Sequence, residues 1–336
     1  MRKLRTAVIG CGAISRTHFD AIRKCDLAEV VYAVDTDINK AKEAASQYGC
    51  SFHADYRRII SDPGIDVVHL CTPHYLHAPM AIEAMKNNKH VLTEKPMATS
   101  VEDAQQMISV SKETGMKLGV CFQNRYNTLS VKTKELLASG RLGRILGAKA
   151  FVTWHRDRGY YVASDWKGSW EKEGGGLLIN QAIHTLDLLQ WFIGEIHSIK
   201  GSYLSSLLAD TIEVEDTASA VIRFKNGVDA VFFATNCYAE NSPVYIEILL
   251  SNGVIRLGSE LTVKYNNGGQ EIYYETNPVT GEKSYWGDSH RLLIQDFYSS
   301  ILNSRDFPVD GEQGITALKM VKAIYKSSET GMWFEL

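Results

Sequence analysis

The sequence lacks a long apolar run, and it lacks an excess of either charge. No uncharged apolar stretch reaches about 18 residues, the length that a membrane-spanning helix needs. The 36 Lys and Arg residues nearly balance the 39 Asp and Glu residues, which gives a net charge of −3. Nucleic-acid-binding proteins usually carry a basic excess or a basic cluster, and the sequence has neither. It therefore predicts no membrane span and no nucleic-acid partner.

A disulfide framework is also missing. The cysteines are scattered and form no C-x-x-C pair: Cys11, Cys25, Cys50, Cys71, Cys121 and Cys237. Secreted disulfide scaffolds are shorter and denser in cysteine, so we expect a cytoplasmic protein. The apolar residues near the N-terminus are interrupted by two glycines and lack a small-residue cleavage site. This pattern indicates a buried strand and turn rather than a signal peptide.

Length and composition indicate a globular protein of about two domains, since a domain averages roughly 100–200 residues. The chain has 336 residues, of which 45% are hydrophobic. A chain of this size buries enough apolar surface to fold without disulfides or metal. The two parts of the chain differ in their patterns.

The first third of the chain alternates short apolar strands with helical stretches. The predicted strands are Arg5–Ile9, Glu29–Val34, Asp66–Cys71, His90–Thr93 and Lys117–Cys121. The predicted helices are Ala13–Lys24, Ile38–Tyr48, Pro79–Asn87 and Val101–Thr114. Strands that are apolar on both faces and alternate with helices form parallel sheets. We expect an α/β fold with a doubly wound Rossmann domain over residues 1–122.

The pattern changes after about residue 123. The predicted elements are a helix over Ser130–Ala138, a strand over Ile145–Trp154 and helices over Ser289–Leu302 and Gln313–Ser328. Three Asn-Gly pairs separate β-rich runs: Asn226-Gly227, Asn252-Gly253 and Asn267-Gly268. Asn-Gly favours the type I′ turn of a β-hairpin. We expect an α+β domain over residues 123–336 with a largely antiparallel open sheet.

A glycine-rich loop joins the first strand to the first helix. Residues Gly10 to Ser15 follow the pattern G-x-G-x-x-S, in which Gly10 permits a tight turn and Gly12 lets the backbone approach a pyrophosphate. The helix N-terminus that follows supplies amide donors and a favourable dipole. We expect a dinucleotide to bind here, with Ala13 and Ile14 also in contact with it.

Asp35 ends the second predicted strand. A carboxylate at that point accepts hydrogen bonds from the adenosine ribose and repels a 2′-phosphate. No Arg or Lys follows until Lys40, so the sequence favours NAD over NADP. The alternative is that Asp35 caps the helix that begins near Ile38.

Two segments follow the third and fourth predicted strands, at the edge where open α/β sheets bind ligands. The residues predicted to bind the cofactor there are Thr72, Pro73, His77, Glu94 and Lys95. A partly desolvated lysine beside a cationic nicotinamide gives up its proton more readily and can exchange it with an alcohol. Lys95 is therefore also a catalytic candidate, and the alternative is a surface lysine paired with Glu94. His74 and His77 have the spacing H-x-x-H but no third ligand, so we expect no metal.

The segment 174–191 opens with three glycines and is apolar nearly all round, which predicts a buried helix. Asn180, His184 and Asp187 fall at i, i+4 and i+7, on one face of that helix. Burying three polar side chains is costly unless they pair with each other or with a ligand. We expect His184 to carry a proton, Asn180 to contact a substrate hydroxyl and Asp187 to bind substrate. The alternative is an internal hydrogen-bond cluster.

Aromatic and charged residues alternate just upstream of that segment. Flat aromatic faces and polar tips suit a polyhydroxylated ligand. The candidates for substrate binding are Arg156, Tyr161 and Trp166. The alternative is an ordinary surface loop.

Together these residues resemble the Gfo/Idh/MocA family, of the glucose-fructose oxidoreductase and inositol dehydrogenase type. The resemblance covers essentially the whole chain. It rests on the glycine loop, on Thr72-Pro73 with His77, on His90-Val91 with Glu94-Lys95-Pro96, and on Gly174–Gly176 with His184-Thr185-Leu186-Asp187.

The resemblance implies a Rossmann domain followed by a domain whose open sheet commonly mediates dimers or tetramers. It also implies hydride transfer between a nicotinamide and a carbon that bears a sugar or cyclitol hydroxyl. Lys95 and His184 match the catalytic lysine and histidine of the family, one from each domain. Inositol dehydrogenases usually carry Asp where this chain has Asn180. Because an amide cannot act as a carboxylate base, proton transfer would rest on Lys95 and His184.

These motifs leave three functions open. The main hypothesis is an NAD-dependent dehydrogenase or reductase that acts on a sugar, cyclitol or sugar derivative as a homodimer or homotetramer. The second is a glycoside hydrolase that retains its NAD and oxidises its substrate transiently, with Tyr161 as its acid. The third is a non-catalytic nucleotide or sugar sensor, which the presence of both Lys95 and His184 disfavours.

Overall fold

The computed structural model describes residues 2–276 and 288–336. The chain divides into two compact units. The first comprises residues 1–123 and 289–315, and the second comprises residues 124–288 and 316–336. Each unit is built around its own sheet.

A six-stranded parallel sheet forms the centre of the first unit. Its strands are β1 (Leu4–Ile9), β2 (Ala28–Val34), β3 (Ser51–His53), β4 (Val67–Leu70), β5 (His90–Thr93) and β6 (Leu118–Val120). They lie in the order β3-β2-β1-β4-β5-β6, and each neighbouring pair runs parallel. The strand order reverses at β1, as in doubly wound sheets, which confirms the predicted Rossmann domain.

Every predicted helix is present, together with two short helices that the sequence pattern did not predict. The helices are α1 (Ser15–Arg23), α2 (Ile38–Tyr48), α3 (Tyr56–Ile60), α4 (His74–Lys86), α5 (Val101–Thr114), α6 (Thr128–Ala138), α7 (Arg158–Val162), α8 (Ile183–Ile193), α9 (Ser289–Leu302) and α10 (Gly311–Thr330). Asp37 caps α2, and Ser100 caps α5 by accepting the N–H of Asp103. Within residues 2–276 and 288–336, no helix combines the length and the apolar character that a bilayer span requires.

The first unit contains two short elements that the sequence pattern did not predict, β3 and α3. They have three and five residues, too few for a hydrophobic period to show. The helix α4 begins at His74 rather than at Pro79. Pro79 lies inside the helix at an exposed position, where its missing N–H costs a backbone hydrogen bond.

The helix α9 has the predicted bounds but belongs to the first unit. Val120 of β6 donates its N–H to the backbone oxygen of Val309 over 2.9 Å, and the Tyr298 hydroxyl lies 2.8 Å from Nε2 of His69. The expected domains of residues 1–122 and 123–336 therefore differ from the compact units in the segment 289–315. A hydrophobic period shows that a helix has a buried face, but it does not show which sheet covers that face.

A nine-stranded sheet forms the centre of the second unit. Its strands are β7 (Ile145–Thr153), β8 (Ile196–Leu204), β9 (Thr217–Phe224), β10 (Asp229–Thr235), β11 (Tyr245–Leu250), β12 (Gly253–Leu257), β13 (Leu261–Tyr265), β14 (Gln270–Tyr273) and β15 (Phe334–Glu335). They lie in the order β14-β13-β12-β11-β7-β10-β9-β8-β15. The β7–β10 pair runs parallel, and the other described pairs are antiparallel. The predicted largely antiparallel sheet is confirmed.

The Asn-Gly pairs lie at the turns of the hairpins β9–β10, β11–β12 and β13–β14, as predicted. Their predicted type I′ geometry is wrong. That geometry needs a positive φ at both central residues, whereas Asn88 and Ser304 are the only described non-glycine residues with a positive φ. Gly227 and Gly268 have φ values of +82° and +90°, so a single left-handed glycine serves each of these two turns.

Candidate functional site

The glycine-rich loop between β1 and α1 has an open side. Gly10 has a φ of +91°, and a Cβ there would lie 2.5 Å from the backbone oxygen of Cys71. Only glycine fits at that position. A Cβ at Gly12 would meet no atom of the described residues within 4 Å, and both Gly12 and Ala13 are exposed. The loop therefore leaves room for a ligand directly before α1.

The N-terminus of α1 suits an anionic ligand. Ile14 is its N-cap and makes no side-chain hydrogen bond to the helix, and the first turn contains no acidic residue. Ser15 stands where the strict motif has a third glycine. It is 2% exposed, and its Oγ donates to the backbone oxygen of Gly12 over 2.6 Å. Ser15 thus tightens the turn, while the helix dipole favours a phosphate in front of it.

Asp35 follows β2 and faces this loop. Its Oδ2 accepts the N–H of Cys11, and its Oδ1 accepts the N–H of Asp37, each over 2.8 Å. The cap of α2 is Asp37, whose side chain accepts the N–H of Asn39, so the capping role considered for Asp35 belongs to its neighbour. Burial and the charge of Asp35 raise the pKa of Cys11 to about 12. The thiol therefore stays protonated, and Asp35 supplies the negative charge beside the loop.

His77 links the segments that follow β4 and β5. It is fully buried, with its Nδ1 2.7 Å from the backbone oxygen of Pro96 and its Nε2 2.8 Å from that of Thr72. Thr72 and Pro73 are partly exposed. Of the predicted cofactor-binding residues after β4, Thr72 and Pro73 keep accessible surface, whereas His77 holds the backbone in place.

Glu94 lies at the centre of a buried histidine cluster. Its Oε1 is 2.9 Å from Nε2 of His18 and 3.6 Å from Nε2 of His290. Burial opposes its ionisation, but the hydrogen bond from His18 and electrostatic interactions with His18 and His290 hold the pKa of Glu94 well below its usual value. Lys95 is half-buried, and its backbone N–H donates to Oε2 of Glu94 over 3.3 Å. Glu94 therefore helps to fix the backbone at the predicted catalytic lysine.

The histidine cluster extends away from Glu94. Nδ1 of His18 is 2.7 Å from Nδ1 of His69, whose Nε2 is 2.8 Å from the Tyr298 hydroxyl. Ligand atoms of His18, Glu94 and Cys121 lie within 4.8 Å of one another, which is the spacing of a metal site. However, burial and the charge of Glu94 raise the pKa of the Cys121 thiol well above its usual value. We interpret the cluster as a hydrogen-bond network.

The segment predicted as one helix over 174–191 contains a π-helical turn, Leu178–Ala182, followed by α8. Its burial agrees with the prediction: His184 is 7% exposed, Asp187 is fully buried and Asn180 is half-buried. The regular spacing predicted for these three side chains is interrupted, because the π-turn adds a residue to the helix. Such turns occur frequently at functional sites.

Asp187 forms a buried ion pair. Arg125 donates from Nε to Oδ2 over 2.8 Å and from Nη2 to Oδ1 over 2.6 Å. The two side chains are 4% and 0% exposed. Gln190 also donates to Oδ1, over 3.3 Å. Both carboxylate oxygens of this substrate-binding candidate are therefore engaged within the protein.

Asn180 belongs to a hydrogen-bonded group with three residues that the sequence pattern did not indicate, Glu173, Tyr160 and Gln181. Its Nδ2 donates to Oε1 of Glu173 over 2.6 Å and lies 3.5 Å from the hydroxyl of Tyr160. Gln181 donates to the same hydroxyl over 3.1 Å. Burial raises the pKa of Glu173 to about 7, although hydrogen bonds from the Gly168 N–H and from Asn180 lower it. One sequence feature could have indicated Glu173: it is an acidic residue directly before three glycines that lead into a buried helix.

The three substrate-binding candidates upstream of residue 174 occupy different environments: Arg156, Tyr161 and Trp166. Tyr161 lies in a buried apolar cluster, and burial raises the pKa of its hydroxyl, which makes it a poor acid for the hydrolase alternative. The guanidinium of Arg156 lies 5.2 Å from the ring centre of Tyr160. Nζ of Lys167 lies 3.7 Å from that ring centre and 5.9 Å from the ring centre of Trp166. Two cations therefore flank the tyrosine whose hydroxyl is close to Asn180.

Two family models match most of the chain. The first is described as an oxidoreductase family with an NAD-binding Rossmann fold and matches residues 4–122. The second is described as the C-terminal alpha/beta domain of the oxidoreductase family and matches residues 134–336. The chain belongs to the Gfo/Idh/MocA oxidoreductase family.

The relatives of this Gfo/Idh/MocA protein include enzymes of sugars and cyclitols. Levoglucosan dehydrogenase of Pseudarthrobacter phenanthrenivorans is 25% identical over 100% of this chain and 99% of that protein. Myo-inositol 2-dehydrogenase of Thermotoga maritima is 26% identical over 97% and 96%. The structure of the WlbA dehydrogenase from Bordetella pertussis, in complex with NADH and UDP-GlcNAcA, is 30% identical with a TM-score of 0.88, covering 100% of this chain and 98% of that chain.

These matches confirm the family resemblance and the NAD-binding Rossmann domain of this Gfo/Idh/MocA protein. The relatives named above are dehydrogenases, so the glycoside hydrolase alternative is not favoured. The loop geometry fits the cofactor. Open space at Gly12 lies before an uncapped helix N-terminus, and the carboxylate of Asp35 borders the same loop.

Proposed function

We propose that this protein is an NAD-dependent dehydrogenase or reductase that acts on a carbon bearing a hydroxyl of a sugar, cyclitol or sugar derivative. The observation that carries the proposal is the open glycine loop bordered by the Asp35 carboxylate. It is supported by membership in a family whose relatives act on levoglucosan, myo-inositol and related compounds. The nicotinamide, when bound, supplies the hydride chemistry.

The preference for NAD rests on Asp35. Its two oxygens already accept backbone N–H groups of the loop and of the next turn, which holds the carboxylate in place. A fixed carboxylate accepts the hydroxyl groups of an unmodified ribose and repels the charge of a 2′-phosphate. Among the residues that follow β2, Lys40 is the first cation, and it is 3.8 Å from Asp37.

Proton transfer falls to Lys95 and His184. Lys95 directly follows Glu94, whose carboxylate the histidine cluster keeps ionised. The backbone N–H of Lys95 donates a hydrogen bond to that carboxylate. We propose that Lys95 exchanges the proton of the substrate hydroxyl and that His184 assists as a second proton carrier. Asn180, held by Glu173, would orient the substrate through a hydrogen bond.

The test is turnover of NAD or NADH, followed by nicotinamide absorbance, on a panel of inositols, levoglucosan, simple hexoses and UDP-GlcNAcA. On an accepted substrate, we expect Lys95→Ala to reduce kcat by about 10²- to 10⁴-fold, the usual value of a positioned acid–base group. The matched control is Lys86→Ala, which removes an exposed lysine from the end of α4. Full turnover by Lys95→Ala would contradict the assigned chemistry. Turnover of any panel member by the unmodified protein would exclude the sensor.

We also propose that the protein forms a homodimer or a homotetramer. The proposed interface is the sheet of the second unit. Val221, Val231 and Leu249 are 37%, 52% and 50% exposed on this sheet. Val231 pairs with Val221 on one side and with Lys149 on the other. Nζ of Lys149 is 3.0 Å from Oε1 of Glu247, so the charge beside Val231 is paired. An apolar patch beside a paired charge can meet an identical patch without leaving that charge uncompensated.

A further inference from the structure

A buried carboxylate is in direct contact with the side chain that we assign to substrate binding. Asn180 donates from Nδ2 to Oε1 of Glu173 over 2.6 Å, and the Gly168 N–H donates to Oε2 over 2.5 Å. Glu173 is 1% exposed, whereas Asn180 keeps accessible surface. Glu173 can therefore influence a ligand most directly through Asn180.

An ionised Glu173 fixes the orientation of the Asn180 amide. A carboxylate only accepts hydrogen bonds, so the Asn180 atom that contacts it must be the amide nitrogen. The hydroxyl of Tyr160 lies 3.5 Å from the same nitrogen and accepts a hydrogen bond from Gln181. Because Nδ2 of Asn180 is directed to Glu173 and the Tyr160 hydroxyl, Oδ1 of the same amide is directed away from them. Asn180 then presents an acceptor, which suits the O–H of an alcohol.

A neutral Glu173 allows the opposite orientation. A protonated carboxylic acid can donate, so the amide can turn, accept through Oδ1 and present Nδ2 on its other side. That nitrogen suits the oxygen of a ketone. The two orientations therefore match the two oxidation states of the same substrate carbon.

Both protonation states of Glu173 are accessible near neutral pH. Burial raises its pKa to about 7, and the charge of Glu215 acts in the same direction. The N–H of Gly168, the amide of Asn180 and the charge of Lys167 lower it. Three tyrosine hydroxyls also interact electrostatically with it, and their own pKa values are raised, chiefly by burial, so that they stay neutral in this range: Tyr160, Tyr161 and Tyr325. The pH dependence of the Asn180 orientation thus follows Glu173.

We propose that Glu173 is a positioning residue that selects which end of the Asn180 amide faces the substrate. The site then favours the alcohol when Glu173 is ionised and the ketone when Glu173 is protonated. This inference rests on the proposed function, because it takes Asn180 as a substrate contact. Glu173, which lies outside the site predicted from the sequence, would then control the preference for alcohol or ketone.

The first test does not require turnover. The side-chain NH2 signals of Asn180 are assigned in a ¹⁵N NMR spectrum by their absence from Asn180→Ala. We expect them to shift with a midpoint near pH 7 in the unmodified protein and to stay constant in Glu173→Gln. An unchanged midpoint in Glu173→Gln, or no transition in the unmodified protein, would overturn the inference whatever the activity.

The second test measures KM in both directions across about two pH units on either side of neutrality. In the unmodified protein we expect KM for the alcohol to fall, and KM for the ketone to rise, by about three- to tenfold as pH increases, the value of one hydrogen bond. Glu173→Gln should remove the pH dependence of KM for both the alcohol and the ketone. In a protein that already carries Asn180→Ala, Glu173→Gln should cause no further change in KM. A merely structural role would lower the unfolding temperature of Glu173→Gln but leave the inflection in place, which would also overturn the inference. Absence of sugar turnover in the unmodified protein would instead refute the proposed function.

Discussion

Arg125 and Asp187 form a doubly hydrogen-bonded ion pair in the interior of the second unit. The two contacts measure 2.8 and 2.6 Å, and the side chains are 4% and 0% exposed. Asp187 lies on α8, three residues after His184. The pair therefore anchors the helix that carries a proposed catalytic residue.

We expect removal of either partner alone to be strongly destabilising. Arg125→Met or Asp187→Leu should each lower the free energy of unfolding by about 3–5 kcal/mol, because each leaves an unpaired buried charge. The double variant should recover most of this loss, since two apolar side chains can pack in place of the pair. Urea denaturation followed by tryptophan fluorescence gives the comparison. Single variants within about 0.5 kcal/mol of the unmodified protein, as typical of surface substitutions, would contradict the interpretation.

The two glycines of the loop should respond differently to alanine. Gly10→Ala should be destabilising, by about 1–3 kcal/mol for its φ of +91° and by more for the contact with Cys71. Gly12→Ala should fold normally, since its Cβ would meet no atom of residues 2–276 or 288–336 within 4 Å. It should nevertheless weaken NADH binding at least about tenfold, because the methyl group would occupy the pyrophosphate position. Thermal unfolding and NADH fluorescence titration separate the two effects. Unchanged NADH affinity in Gly12→Ala would refute the loop as the nucleotide site.

Asp35→Ser should reduce the preference for NADH over NADPH. Loss of the carboxylate removes an acceptor for the ribose and a charge that repels the 2′-phosphate, so the ratio of the two Kd values should change by at least about tenfold. Asp37→Ser is the matched control, because serine is as good a helix cap as aspartate and the Asp37 N–H to Asp35 remains. Titration of both nucleotides measures the ratio. An equal change in the two variants would assign the effect to the turn rather than to Asp35.

The elements with a strong local signal could be predicted from the sequence. The bounds of α2, α5 and α9 agree with the hydrophobic period, and the Ser100 cap follows from its spacing to Asp103. The glycine loop was also predictable, because the chemistry of phosphate binding demands Gly10 and Gly12 at the end of a strand.

The side-chain partners could not be predicted, because they depend on contacts between distant parts of the chain. Asp187 was assigned to a ligand, but its partner Arg125 lies 62 residues earlier. The contact of Asn180 with Glu173 spans only seven residues, but it requires the backbone to turn through three glycines and a π-helical turn. A polar stripe shows that its members need partners, but it does not name those partners.

The exposed sheet face of the second unit predicts the effect of a charge at its centre. Val231→Glu would place a second carboxylate beside Lys149, which already pairs with Glu247, and would bury it against the second copy at the proposed interface. We expect light scattering after size-exclusion chromatography to show the mass of one chain, 37.5 kDa, where the unmodified protein shows a multiple of it. Val131→Glu is the matched control, since Val131 is 41% exposed but lies on α6 rather than on a strand of this sheet. A mass that stays unchanged in Val231→Glu, or that falls equally in both variants, would refute this sheet as the interface.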